Sequence, residues 1–175
     1  GGSYTGALSV PSGMKINGSY LPDFSDVSSD QVTTIYGTAT AAPVMFNGVT
    51  NSAISGVSIQ GVARTSGDAV GVVVTGGSSG IEVGNNAAPR TLVGGGTGPN
   101  ASGVLVTGGS FAKIENATVN SGTPTGAGSS AYGVRILGLS VVNVVLSEVT
   151  AQPGVAGTSA STAVPAQATS GCGGS

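Results

Sequence analysis

Apolar and polar residues alternate along this chain in short bursts that recur at a nearly constant distance. PVMFNGVTNSAI begins at Pro43, GVVVTGGSSGI at Gly71, GVLVTGGSFAKI at Gly103 and GVRILGLSVVNV at Gly133. Set under one another, the four segments agree by column. The second column is Val44, Val72, Val104, Val134, and the fourth is Phe46, Val74, Val106, Ile136. The sixth is Gly48, Gly76, Gly108, Gly138, and the eighth is Thr50, Ser78, Ser110, Ser140. An apolar residue follows in each copy: Ile54, Ile81, Ile114, Val144. Composition alone does not sort Val, Gly and Ser/Thr into separate columns four times, so this is an internal repeat.

Period-two alternation rich in β-branched residues predicts a strand, and the Leu/Ala spacing of a helical repeat is absent. The repeat starts lie 28, 32 and 30 residues apart, so each unit holds more than one strand. A third apolar anchor stands five residues after the second in three copies, at Ile59, Val119 and Val149. The unit at Gly71 departs from this, running IEVGNNAAPRTLV before Leu92 and Val93. Three strands per unit, with turns and one variable loop, describe the coil of a parallel β-helix. Stacked at about 4.8 Å, such coils place equivalent residues directly above one another. The sixth-column Gly suits a turn conformation that a Cβ opposes, and the eighth-column hydroxyls suit turn amides. A β-sandwich would need hairpin turns and no column identity; Asn17-Gly18 and Asn47-Gly48 are too few.

Length differences fall between the third anchor and the next start, in GVARTSGDAV, AAPRTLVGGGTGPNAS and NSGTPTGAGSSAY. These are expected to bulge from one corner of the stack. Residues 1–150 thus read as one solenoid of about five coils, and 151–175 as a Gly/Ser/Ala-rich loop or linker tail. One domain is also what 175 residues and 16.5 kDa suggest.

Composition sharpens this picture. Hydrophobic content is 39% with 4% aromatic, so the core is aliphatic. Charged residues make up 7% and the formal net charge is −2. Without clustered Lys/Arg, nucleic acid and anionic membrane surfaces are poor partners. No apolar run reaches the roughly 20 residues that span a bilayer, so membrane insertion is not expected. The chain opens on GGSYTG without Met and reads as a mature product or a piece of a longer chain. Cys172 is the single cysteine, so no disulfide forms within these residues. It becomes a candidate contact to a neighbouring subunit instead.

Candidate chemistry is sparse. There is no His, the commonest general acid/base and metal ligand. Asp23, Asp26 and Asp30 in DFSDVSSD bunch carboxylates of the kind Ca²⁺ prefers, but their spacing matches neither an EF-hand nor a nonapeptide Ca²⁺ repeat, and they read as solvated acids. Glu82 and Glu115 each follow the second anchor and are expected in one column; retaining glycosidases hold such a pair about 5–5.5 Å apart. Arg90 and Lys113 lie near enough to neutralise them, which favours an ordinary ion-paired surface. Asn17, Asn100 and Asn116 head glycosylation sequons, a number close to chance for this composition. No cofactor or metal is expected. Alternation points Met45, Val73, Leu105 and Arg135 outward, an apolar stripe ending in a cation. The stripe is either covered by the chain's own loops or is a contact surface.

The upstream segments Met14–Tyr20, Thr33–Gly37 and Gly48–Ile59, with AYGVRILG from Ala131, carry a further likeness. They match the "I-x-G-x-Y", "T-T-I-x-G" and "G-V-x-N-x-x-I-x-G-x-x-I" runs of secreted bacterial proteins. Over residues 4–150 the chain resembles the pectin-lyase-like superfamily of right-handed parallel β-helices. The resemblance implies an all-β, right-handed solenoid at the cell surface or outside the cell. It does not choose among lyases, hydrolases, adhesins and phage spikes. The Asn-Thr-Asp, paired Asp and Gly-His-Gly motifs of its polygalacturonase-like members are missing, as is the carboxylate cluster of its pectate-lyase-like ones. The expectation is a non-enzymatic structural module, self-associating or continued by further coils of a longer chain. A glycan-binding adhesin or phage-spike module is the first alternative, and a polysaccharide lyase or hydrolase the second. No cap is evident at either end of the stack, so the open strand edges invite pairing with another copy.

Overall fold

A computed structural model describes residues 2–21, 26, 28 and 32–159. It is all-β, with no helix among the described residues, and its strands run parallel in a solenoid of five coils. One face stacks Leu8–Ser9, Val44–Asn47, Asp68–Thr75, Asn100–Val106 and Ala131–Ile136. The second face stacks Lys15–Asn17, Ala53–Ser55, Ile81–Val83, Phe111–Glu115 and Val141–Val145. On the third face, Ser3–Thr5 leads, followed by Thr33–Tyr36, Val57–Gln60, Thr91–Gly94, Ala117–Asn120 and Glu148–Thr150. The last strand ends at Thr150, and residues 151–159 form no regular element. Val155 nevertheless exchanges backbone hydrogen bonds with the loop at Gly128 and Ser129.

The first-face columns stand as the alternation predicts. Val44 pairs Val72, Val72 pairs Val104 and Val104 pairs Val134; Phe46, Val74, Val106 and Ile136 form the next column. In the middle coils these residues are fully buried. Leu8 joins the first column by pairing with Val44, so Leu8-Ser9-Val10 is a further, shortened copy of the strand. On the third face Ile35, Ile59, Val93, Val119 and Val149 align, and Val93 fills the place that the Gly71 unit left open. The buried cluster is Val, Ile and Ala with one aromatic ring, Phe46, at its largest position.

The second face departs from the expected register. Val83, not Ile81, shares a column with Ile54 and Ile114, while Ile81 pairs with Ala112. The turn of that coil, Gly76 to Gly80, is one residue longer than its neighbour's. Both Ile81 and Val83 point inward and are buried, so the apolar pattern alone leaves the offset open. The variable loops also divide between two corners. Arg64, Thr97 and Thr123 stack through backbone bonds at the corner between third and first faces. Residues 84–90 instead bulge at the corner between second and third faces, where Asn116 Nδ2 donates to the carbonyls of Asn85 and Ala88 at 3.0 and 3.1 Å.

Two glycine columns close the coil. Gly48, Gly76, Gly108 and Gly138 turn the first face into the second with φ of 65°, 67°, 67° and 60°, the left-handed region that favours glycine. Beside them, Ser78 Oγ donates to the Thr75 carbonyl and accepts from the Val49 amide of the preceding coil. Ser110 and Ser140 likewise accept from the amides of Ser78 and Ser110. Gly71, Gly103 and Gly133, which lie within the first-face strands, do a different job. A Cβ on Gly103 would stand 2.5 Å from Val119 Cγ1 and 2.7 Å from the carbonyl oxygens of Asn120 and Gly133. Here first and third faces meet with no space for a side chain, and the narrow coil follows from that contact.

Overpacking at such a point costs about 1–3 kcal/mol, so Gly103→Ala is expected to lower unfolding free energy by that amount in urea titrations. Val106→Asp buries an unpaired carboxylate between Val74 and Ile136 and is expected to prevent folding, read by loss of the far-UV β signal. A folded Val106→Asp protein would shift the inward register by one residue.

Candidate functional site

The outer side of the first face carries the stripe anticipated from alternation. Met45, Val73, Leu105 and Arg135 stand in one column, in register across four coils. All four are half-buried. Arg135 Nη1 reaches back across the intervening strand to Asp68 Oδ2 at 2.8 Å, and its guanidinium lies 4.8 Å from the Tyr132 ring centre. Asn100 Nδ2 donates to the other Asp68 oxygen at 2.9 Å. Asp68, Asn100 and Tyr132 thus form a polar flank beside the stripe. Asp68 and Asn100 pair in register, and their 32-residue spacing repeats that of Gly71 and Gly103; that spacing was the available clue.

On the second face the two glutamates do not share a column. Glu82 pairs with Lys113, and Glu115 with Val145, because the counterpart of Ile114 is Val83, which follows Glu82, whereas Glu115 follows Ile114. Lys113 Nζ binds Glu115 Oε2 at 2.6 Å. That hydrogen bond holds Lys113 above the usual lysine range, and the charges of Glu115 and Glu82 add to it. A cation set among both carboxylates favours an ion-paired surface over a proton-transferring pair.

The sequon asparagines serve the fold. Asn17 Oδ1 accepts from Ser55 at 2.7 Å. Asn100 bonds Asp68, with Ser102 of its sequon fully buried. Asn116 sits at φ 49° and spends its amide on the loop at residues 85–88. Asp23, Asp30 and Cys172 lie outside the described residues, and no cluster of three metal-ligating side chains occurs among those described.

The ends of the stack carry, besides open strand edges, a cavity and bare inward columns that the sequence pattern did not display. All three sheets stop at the same two places: Ser3–Thr5, Leu8–Ser9 and Lys15–Asn17 at one end, Ala131–Ile136, Val141–Val145 and Glu148–Thr150 at the other. The first end opens into a cavity of about 640 Å³, with Leu8, Ile16, Ile35 and Val57 in its wall and Tyr4 and Tyr20 beside them. At the other end the inward columns lie bare: Ile136, Val144 and Val149 are exposed, although Val106, Ile114 and Val119 one coil earlier are fully buried.

The fold and these surfaces define a parallel β-solenoid. No family model matches the chain, and no curated protein or solved structure matches it significantly.

Asp68→Ala removes the common acceptor of Arg135 and Asn100 at a partly exposed site. The expected loss is about 1 kcal/mol, measured by urea unfolding, and smaller at 1 M salt than at low salt because the ion pair is screened.

Proposed function

We propose that this chain is a non-enzymatic structural module of the cell surface or extracellular space. In this reading it self-associates into a fibre, or sits within a longer solenoid, and belongs with the pectin-lyase-like β-helices that it resembles. One observation carries the reading: among the described residues the stack finishes, on all three faces and at both ends, in unpaired strands, and at the last coil the inward Ile136, Val144 and Val149 are bare. Unpaired edges recruit other strands unless something covers them. Net charge of −2 offers little repulsion against association. The half-buried Met45–Val73–Leu105 stripe supplies a second, lateral surface.

A ligand-binding module is the runner-up, favoured by the cavity beside Tyr4 and Tyr20, since aromatic side chains suit the apolar faces of glycans. A hydrolase or lyase reading has less support, because Glu82 and Glu115 stand diagonally with Lys113 bound to one of them.

Sedimentation velocity across a hundredfold concentration range tests the proposal. The expected result is mass-action growth beyond the monomer. Leu105→Glu is expected to weaken it if the stripe contributes, and reductant to weaken it if Cys172 locks neighbours. A monomer throughout, indifferent to both changes, would contradict the structural reading and favour the ligand-binding one.

A further inference from the structure

We infer that the outer side of the second face binds a small zwitterion, a free α- or β-amino acid, in a depression between Lys15 and Glu82. The site is separate from the strand edges and the stripe that carry the self-association proposed above. The outward column on this face runs Lys15, Ala53, Glu82, Lys113 and Asn143. Ala53 is the one short side chain in it, so the column dips where its neighbours rise. The dip is a depression of about 210 Å³ lined by Lys15, Asn51, Ser52, Ala53, Gly80 and Glu82. Ser52 is spent on the fold, its Oγ lying 2.7 and 3.1 Å from the carbonyls of Pro11 and Thr50. Asn51 forms the edge: its Oδ1 lies 2.6 Å from the point that a Cβ on Gly80 would occupy. The missing side chain of Gly80 thus gives the carboxamide its place beside the dip.

Opposite charges face each other across Ala53, and neither is spent. Among the described residues the ion pairs are Arg90–Glu148, Lys113–Glu115 and Arg135–Asp68. Lys113 Nζ binds Glu115 at 2.6 Å, and Asn86 Nδ2 donates to the other Glu115 oxygen at 3.0 Å. One cation beside two carboxylates leaves one negative charge uncancelled, and it falls on Glu82. On the other side of the dip, Lys15 is exposed and has no anionic partner among the described residues.

The separation of these charges sets the ligand. Lys15 and Glu82 stand on strands two apart, about 9.6 Å at the ordinary strand spacing. A charged contact of about 2.8 Å at each end leaves about 4 Å between the ligand's own ammonium and carboxylate. Free α- and β-amino acids match that span. A singly charged ion meets only one of the two groups, and a longer ω-amino acid must buckle to meet both. The ligand carboxylate lies at Lys15 and its ammonium at Glu82. Direct closure of Lys15 on Glu82 over Ala53 would order two long side chains for a single exposed ion contact, which contributes little. A zwitterion meets each charge where it stands.

Titration of β-alanine into isotope-labelled protein, followed by amide NMR shifts, tests the site. Concentrations reach tens of millimolar, roughly the range in which two exposed ionic contacts hold a ligand. Propionate and ethylammonium, each carrying one of the two charges, are the controls at matched ionic strength. Saturable shifts centred on Lys15, Ala53 and Glu82 are expected with β-alanine. Either control is expected to bind about fivefold more weakly, the effect of losing one exposed ion contact. Lys15→Gln and Glu82→Gln are each expected to weaken β-alanine binding by the same factor. Ala53→Leu fills the dip, leaves both charges in place and is expected to abolish the shifts. All three positions face outward, and circular dichroism checks that the β fold is retained; the charge variants decide alone if Ala53→Leu does not fold. The absence of a saturable shift in the native protein would overturn the inference. So would binding that survives either charge variant or a folded Ala53→Leu, or that a control matches. Sedimentation of the same samples reads self-association separately, so the failure of one reading leaves the other standing.

Discussion

Each coil is held to the next by parallel backbone ladders on three faces, so a side chain can point inward only where its counterparts above and below do the same. This coupling forces Val72, Val104 and Val134 into one column and makes their chemistry nearly interchangeable. It also makes the core narrow. First and third faces touch at Gly71, Gly103 and Gly133, where carbonyl oxygens and valine methyls occupy the volume a Cβ would need. Aliphatic side chains of modest size fill what remains, with Phe46 the single large ring in the buried cluster. Hydroxyls at the corners, as in Ser78, Ser110 and Ser140, supply acceptors for turn amides that the ladders leave over. Each buried polar backbone group without such a partner would cost about as much as the burial of one valine contributes.

The same coupling explains why the ends matter. A middle coil has its inward residues covered from both sides, and a terminal coil from one side. Burial of Val119 and exposure of Val149 in the same column express this directly. Nothing about the residue type changes between the two positions; only the neighbour is missing. The molecule is therefore open in a sense that sandwiches and barrels are not, and its apolar surface concentrates where strand edges are also unpaired.

Much of this was legible in the sequence where coupling is strongest. The Val-x-Val columns, the positive-φ glycines and the half-buried Met45–Val73–Leu105 column follow from residues that repeat at 28 to 32 positions. What escaped has identifiable reasons. Leu8-Ser9-Val10 lies before a shorter turn and lacks the sixth-column glycine, so its likeness to later strands is faint. Ile81 and Val83 are both inward, and with one added turn residue the counterpart of Ile114 is Val83, two positions beyond Ile81. Glu82 therefore stands beside Lys113, two positions short of Glu115. Asp68, Asn100 and Tyr132 precede the repeat segments; strand register brings Asp68 to Asn100, and the path of the Arg135 side chain ties Tyr132 to them. The close approach at Gly103 depends on how two faces meet, a property of the closed coil and of no single strand.

Amide hydrogen exchange, read residue by residue at low and high protein concentration, tests the central claim that coils are stabilised by their neighbours and that the terminal ones lack a partner. In dilute solution the amides of Val72 to Val74 and Val104 to Val106 should exchange slowest. Those of Lys15–Asn17 and Val141–Val145 should exchange fastest among the strands. On concentration, protection should rise at these two terminal strands and stay unchanged in the middle. Terminal strands as protected as the middle ones in dilute solution, or a terminal protection that ignores concentration, would contradict the account.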